Sequence, residues 1–259
     1  MLAGRVRGYD VLNLPYRTTA MDELVSETLR VLTNVEAVDK ILLDGDVLRW
    51  SAGDSSFIKG KSCVERQKCE NAWLNEKIGM ANGSGKLGER IANALLSVLG
   101  DKVLPGKRIK HYDVNDSRCL IPDAETDTHI IEIKTQTYFT PGTAGEKILA
   151  APRKYNWVPR VSTKKVMIIC IAHAEEIARR AKLFHGESEA PEDHQYHQLE
   201  TQQGIEFIAG SDLLKRIIVR FKSEVPKPMP LESSTPVAPQ CPPQIKRKTR
   251  RTANPCLSG

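Results

Sequence analysis

Between Cys119 and Gln136 the chain reads CLIPDAETDTHIIEIKTQ, and its acidic and basic residues are spaced for chemistry. On a strand, side chains two apart share a face. Glu132 and Lys134 therefore point one way, while Ile131 and Ile133 point into the opposite layer. Asp123 follows Pro122 nine residues upstream of Glu132, where a tight hairpin can bring its carboxylate alongside. Two neighbouring carboxylates repel unless a cation lies between them, and hard oxygen donors suit Mg²⁺. A lysine beside such a pair can orient a water or offset charge that builds on an attacked phosphate. An E-x-K triplet alone fits a solvent-facing ion pair on an edge strand equally well. Here it lies in a strongly β-prone run, has Pro122-Asp123 upstream, and follows a helix carrying Glu89.

The pattern Pro122-Asp123 … Glu132-Ile133-Lys134 resembles the PD-(D/E)xK nuclease superfamily. Residues 130–149, IIEIKTQTYFTPGTAGEKIL, are more narrowly similar to type II restriction endonucleases, including forms carried by large DNA viruses. The likeness covers residues 84–172. It implies a restriction-endonuclease-like mixed sheet flanked by helices, with an αβββαβ core. It also implies that Asp123 and Glu132 ligate Mg²⁺ with help from the Ile133 carbonyl, and that Lys134 positions or activates the water. Glu89, in KLGER, matches an acidic residue that many members place on the helix before the strands. Asp127 competes with Asp123 but lies only five residues before Glu132, too close for the adjacent strand. The implied activity is sequence-specific cleavage of double-stranded DNA leaving 5′-phosphate and 3′-hydroxyl ends. The implied partners are a second copy in a homodimer and a DNA methyltransferase acting on the same site.

Two rivals stand beside that reading. One is a repair or recombination nuclease of the same superfamily. The RecB-like branch carries a Gln and a Tyr on the helix after its E-x-K strand, where this chain offers Glu146 and Lys147. The other is a non-catalytic DNA-binding protein, which the intact Asp-Glu-Lys set disfavours.

The elements that must position these residues follow from hydrophobic period. Leu24, Leu29, Leu32, Val35, Val38 and Leu42 predict a helix over residues 21–45. A second helix spans 62–78, and a third, 85–99, carries Leu87, Ile91, Ala94, Leu95 and Val98 on one face. After Gly100 the period shortens, predicting strands at 107–113, 118–122 and 128–135. Thr143 can cap a helix running to Arg153, VMIICIA (166–172) reads as a buried strand, and 174–184 as a helix. A short strand at 205–208 and a helix at 211–221 close the fold.

Other motifs carry less. NGSGKLGER (82–90) lacks the glycine and hydroxyl spacing of a phosphate-binding P-loop. His185, His194 and His197 lie in a polar stretch without a cysteine pair, which disfavours zinc; such a loop can instead carry hydrogen-bonding side chains to base edges. In residues 152–165, Arg153, Lys154, Arg160, Lys164 and Lys165 are interleaved with Tyr155 and Trp157. These charges, with Lys147 at the start of the preceding helix, are candidates for DNA backbone contacts, and Trp157 for core packing.

The 259 residues divide into an N-terminal helical region (1–83), a core (84–222) and a tail (223–259). The tail holds eight of the 15 prolines and no aromatic residue, which predicts disorder. Its cluster Lys246, Arg247, Lys248, Arg250 and Arg251 reads as a nuclear-import signal, a phosphate-binding arm or a solvated charge run. The six cysteines form no C-x-x-C pair, as expected of reduced thiols. No apolar run approaches the roughly 18 residues of a membrane span, and MLAGRVRGYD lacks the apolar core of a secretory signal. A soluble intracellular protein is therefore expected.

Overall fold

Two faces of one sheet divide the apolar side chains of the fold. In a computed structural model, residues 16–80, 83–111, 119–139, 144–184 and 204–224 are described. The chain separates into two units, Met1–Glu224 and Val225–Gly259, and the described strands and helices belong to the first. Strands β1 (Leu104–Pro105), β4 (Ala124–Glu125), β5 (His129–Gln136), β6 (Lys165–Ala172) and β7 (Ile205–Ala209) pair in the order β1-β4-β5-β6-β7. The first two pairings are antiparallel and the last two parallel, so the sheet is mixed. Strands β2 (Ile109–Lys110) and β3 (Cys119–Leu120) form a separate antiparallel ribbon.

Parallel strands need a crossover, and helix α5 (Ala144–Tyr155) supplies it between β5 and β6. Strand β6 is buried from Val166 to Ala172, which is why it reads as a continuous apolar run rather than an alternation. Ile131 and Ile133 of β5 face helices α1 (Tyr16–Leu32), α2 (Gly45–Ser51), α4 (Ser84–Val98) and α7 (Gly210–Glu224). Ile130 faces the other way, among Ile148 and Tyr155 of α5 and Ala174 and Ala178 of α6 (His173–Arg180). Helix α3 (Cys63–Ile78) opens on a capping box between Ser62 and Glu65.

The single helix expected over 21–45 does not form. Helix α1 ends at Leu32, a turn follows, and a short 3₁₀ segment at Lys40–Leu43 precedes α2. Polar side chains make the break: the Thr33 hydroxyl and the Asn34 amide both donate to the Arg30 carbonyl, at 3.0 and 2.7 Å. Asp39 and Asp44 then cap the two following segments. The expected run of three core strands is also corrected. The ribbon of β2 and β3 stands apart, and the strand beside β5 is the two-residue β4, too short to show a period. Thr143 and residues 112–118 lie outside the described residues. Among the described residues, no helix is long and apolar enough to cross a membrane.

Candidate active site

Asp123 enters the site from the start of the β4–β5 hairpin, where its N–H donates to the Ile131 carbonyl at 3.0 Å. The preceding Pro122 is held by a close backbone approach: a Cβ on Gly106 would lie 2.0 Å from the Pro122 carbonyl oxygen. Only glycine fits there. The Asp123 carboxylate accepts a 2.6 Å hydrogen bond at Oδ2 from the Ile133 N–H, so it sits on the middle of the E-x-K triplet. Burial pushes its carboxyl up; the Ile133 N–H works against that, and the Glu132 charge adds to it.

Glu132 is only 4% exposed. Its Oε1 accepts from the ammonium groups of Lys134 and, at 2.9 Å, Lys154, and its Oε2 from the Tyr155 hydroxyl. Burial alone would raise the Glu132 carboxyl, yet the hydrogen bonds from Lys134 and Tyr155 and the two lysine charges bring it below the usual carboxylate range. Glu132 is therefore an oriented anion. The Tyr155 phenol is pushed well up by burial and by the Glu132 charge, so it is a proton donor in this contact.

Glu89 reaches the neighbourhood because α4 packs tightly on β5. A Cβ on Gly88 would meet the Thr135 side chain at 2.6 Å, and the absent side chain lets the helix approach. Glu89 is exposed. Partial burial raises its carboxyl, Asp123 and Glu132 raise it further, and Lys86 opposes them. Three carboxylates thus feel one another electrostatically. Among the described residues, however, no group of three or more His, Cys, Asp or Glu side chains is arranged to hold a metal ion.

Of the sequence candidates, Asp123, Glu132, Lys134 and Glu89 are brought to one end of the β4–β5 hairpin. Ile133 contributes backbone there and keeps its side chain in the core. The basic candidates disperse. Lys147 and Arg153 are exposed on α5, Arg160 is exposed beyond it, and Lys165 is exposed at the start of β6. Lys164 pairs at 3.3 Å with Glu125, which also takes Lys107 at 3.1 Å. Lys154, expected among the surface charges, turns instead to Glu132. Trp157 is buried, with its ring 4.9 Å from that of His111.

The chain pattern pointed to neither Lys154 nor Tyr155 as a partner of Glu132. A signal existed for the tyrosine: Ile148, Ala151 and Tyr155 form the buried stripe of α5, and a buried phenol must find an acceptor. Glu146 and Lys147, considered at the start of that helix, are exposed and lie at the opposite end of it from Lys154 and Tyr155. The glycine-rich turn at 140–143, His185, His194 and His197, and the basic cluster from Lys246 to Arg251 lie outside the described residues. Compared with known proteins, the chain matches no family model, no curated protein and no solved structure.

Proposed function

We propose that the chain is a restriction-endonuclease-like, Mg²⁺-dependent endonuclease that hydrolyses phosphodiester bonds of double-stranded DNA at specific sequences. The observation that carries the reading is the seat of Asp123 on the Ile133 N–H, beside a Glu132 that the Lys134 ammonium holds. The order α4, β1, β4, β5, α5 and β6, with the β2–β3 ribbon set aside, supports an αβββαβ core. Asp123 and Glu132, with the Ile133 carbonyl, would hold the cation; their oxygen donors suit Mg²⁺, and mutual repulsion in a partly buried site favours a counter-charge. When bound, Mg²⁺ supplies charge neutralisation at the phosphate and acidifies a bound water.

The chain's own groups do the rest. Lys134 orients the attacking water and offsets charge on the phosphate. Tyr155 and Lys154 hold the Glu132 carboxylate in one orientation, and Glu89 adds negative charge on the side of α4. The products carry 5′-phosphate and 3′-hydroxyl ends, and a two-fold target calls for a homodimer. A methyltransferase of the same site is the corresponding partner.

Plasmid DNA incubated with the protein is expected to be cut in Mg²⁺ and intact in EDTA. Asp123→Ala, Glu132→Ala and Lys134→Ala proteins that fold by circular dichroism are expected to be inactive. Undiminished cutting by all three overturns the site. A second reading, a repair or recombination nuclease, gains from one contact. Tyr155, on the helix after the E-x-K strand, donates to Glu132, which resembles the helix tyrosine of the RecB-like branch. Discrete bands support the site-specific enzyme, and a smear or end-trimming supports the second reading.

A further inference from the structure

Glu132 has little left to offer a cation. A carboxylate presents about four lone-pair directions on its two oxygens. Oε1 uses two of them, on the ammonium groups of Lys134 and, at 2.9 Å, Lys154, and Oε2 uses a third on the Tyr155 hydroxyl. A divalent cation shared with Asp123 would also meet two positive charges at Oε1. For it to enter, one of these donors must yield.

The three donors are not equally fixed. Lys134 is half-buried and leaves β5 two residues from Glu132, so the strand keeps it on the same face. Tyr155 is fully buried in the apolar cluster under α5. Lys154 is exposed, and its ammonium alone reaches inward. It leaves the last turn of α5 directly after Pro152, which has no N–H to give the Ile148 carbonyl one turn back. That turn is tied to the rest of the helix by one bond fewer. The Tyr155 ring centroid lies 5.0 Å from the Lys154 ammonium and offers it a second partner. The long flexible stem of a lysine lets the ammonium exchange one partner for the other while the helix stays in place.

We propose that Lys154 gates the cation seat: its ammonium competes with a divalent cation for Glu132 Oε1 and withdraws toward the Tyr155 ring and solvent when the cation enters. Lys134 and Tyr155 keep their hold on Glu132 throughout. The inference rests on the nuclease reading, through the seat at Asp123 and Glu132. Entry of the cation and closure by Lys154 oppose each other, and the opposition is reciprocal. Whatever draws Lys154 away strengthens cation binding by the same factor. A DNA phosphate at this end of α5 would be such a group, so the seat fills firmly only with substrate at hand. A lysine that merely orients Glu132 predicts the opposite sign, because its loss would loosen a ligand.

The test titrates Mn²⁺ alone into the full chain, without DNA, by calorimetry. Lys154→Met keeps an apolar stem and removes the charge. It is expected to bind Mn²⁺ about ten-fold tighter than the wild-type chain, within the usual range of coupling between two groups. Arg153→Met removes an equal charge from the neighbouring exposed position and is expected to bind as the wild type does. Lysine acetylation read by mass spectrometry follows the gate directly. Lys154 is expected to become more reactive as Mn²⁺ is added, and Lys134 is not. Unchanged or weaker binding by Lys154→Met, or equal tightening by Arg153→Met, overturns the gate. Mn²⁺ binding that leaves Lys154 reactivity unaltered overturns it as well. Cleavage of plasmid in Mg²⁺ separates the two claims. Cutting without the expected Mn²⁺ pattern removes the gate alone, and the pattern without cutting removes the nuclease reading alone. No Mn²⁺ binding by either the wild type or Lys154→Met removes the seat, and both claims with it.

Discussion

One oxygen of Glu132 carries two ammonium groups, and the two lysines are not equivalent. Lys134 leaves the same strand as Glu132, and its side chain is 20% exposed. Lys154 comes from the end of α5, is 42% exposed, and lies 5.0 Å from the Tyr155 ring centroid. On the proposed nuclease reading, the less solvated lysine, fixed to the hairpin that carries Asp123, is the one that would act on the water. Lys134→Ala is expected to lower kcat by about 100-fold or more. Lys154→Ala is expected to act mainly on KM, because Glu132 keeps Lys134 and Tyr155. Steady-state cleavage rates of the two variants check the split, and equal collapse of kcat in both removes the distinction. Strand alternation made the Glu132–Lys134 pair readable in advance, since i and i+2 share a face whatever the tertiary fold, whereas Asp123 was read from the upstream Pro122-Asp123 and the resemblance it carries. Lys154 and Tyr155 were not readable in the same way. Whether a lysine in a basic run meets solvent or a buried carboxylate depends on how α5 crosses β5, and no local pattern encodes that crossing.

Helices are held to the site by two contacts that single substitutions can test. The approach of α4 to β5 depends on Gly88, and a methyl group there would press on Thr135 at 2.6 Å. Gly88→Ala is expected to destabilise the fold by about 1–3 kcal/mol. Thr135→Ala in the same chain is expected to restore most of it, which paired urea titrations measure. Additive losses in the double variant would show that the contact is not the cause. The turn between α1 and α2 is tied to α4 by Asp39, whose carboxyl is held below its ordinary value. The Arg90 hydrogen bonds are the main cause, burial opposes them, and the Ile41 N–H adds to them. A depressed carboxylate contributes stability that is present above its unfolded value, about 3.9, and is lost as pH falls through the folded one. Asp39→Ala is thus expected to cost about 1–2 kcal/mol at neutral pH and much less near pH 2. Thermal melts at the two pH values check the sign. This turn also marks where periodicity misled. Apolar residues at three- to six-residue steps continue from Leu24 to Leu42, but they include Val35 and Val38 of the turn. Hydrogen bonds donated by Thr33 and Asn34, and one that Asp39 accepts from the Ile41 N–H, decide the break. Helices α3 and α4 were readable because their ends coincide with Ser62, Gly79, Gly83 and Gly100, residues whose local preferences agree with the packing.

Charge, at the scale of the whole chain, belongs mostly to the part that follows the fold. The formal net charge is +6, and residues 223–259 carry six Lys or Arg against two acids. The first 222 residues are left with only a small surplus, and their site is a focus of carboxylates. Several of their basic groups are spent inside the fold: Lys134 and Lys154 on Glu132, Lys107 and Lys164 on Glu125, Arg90 on Asp39. On the proposed nuclease reading, long-range attraction for DNA would then come largely from the tail. Among the described residues, both apolar clusters belong to the first unit. A chain ending at Glu224 is expected to keep its melting temperature. The tail's five clustered charges, Lys246 to Arg251, would each release about 0.9 counterions on meeting duplex phosphate. Their removal is expected to flatten the slope of log K against log salt by about 4. The measurement is a salt series of binding titrations on full and shortened chains. An unchanged slope would mean that the cluster does not touch DNA, leaving import or mere solvation as its role. On the proposed nuclease reading, the weak basic surplus of the folded part would then have to supply affinity alone, through exposed Lys147 and Arg153 on α5 and Lys165 at the start of β6.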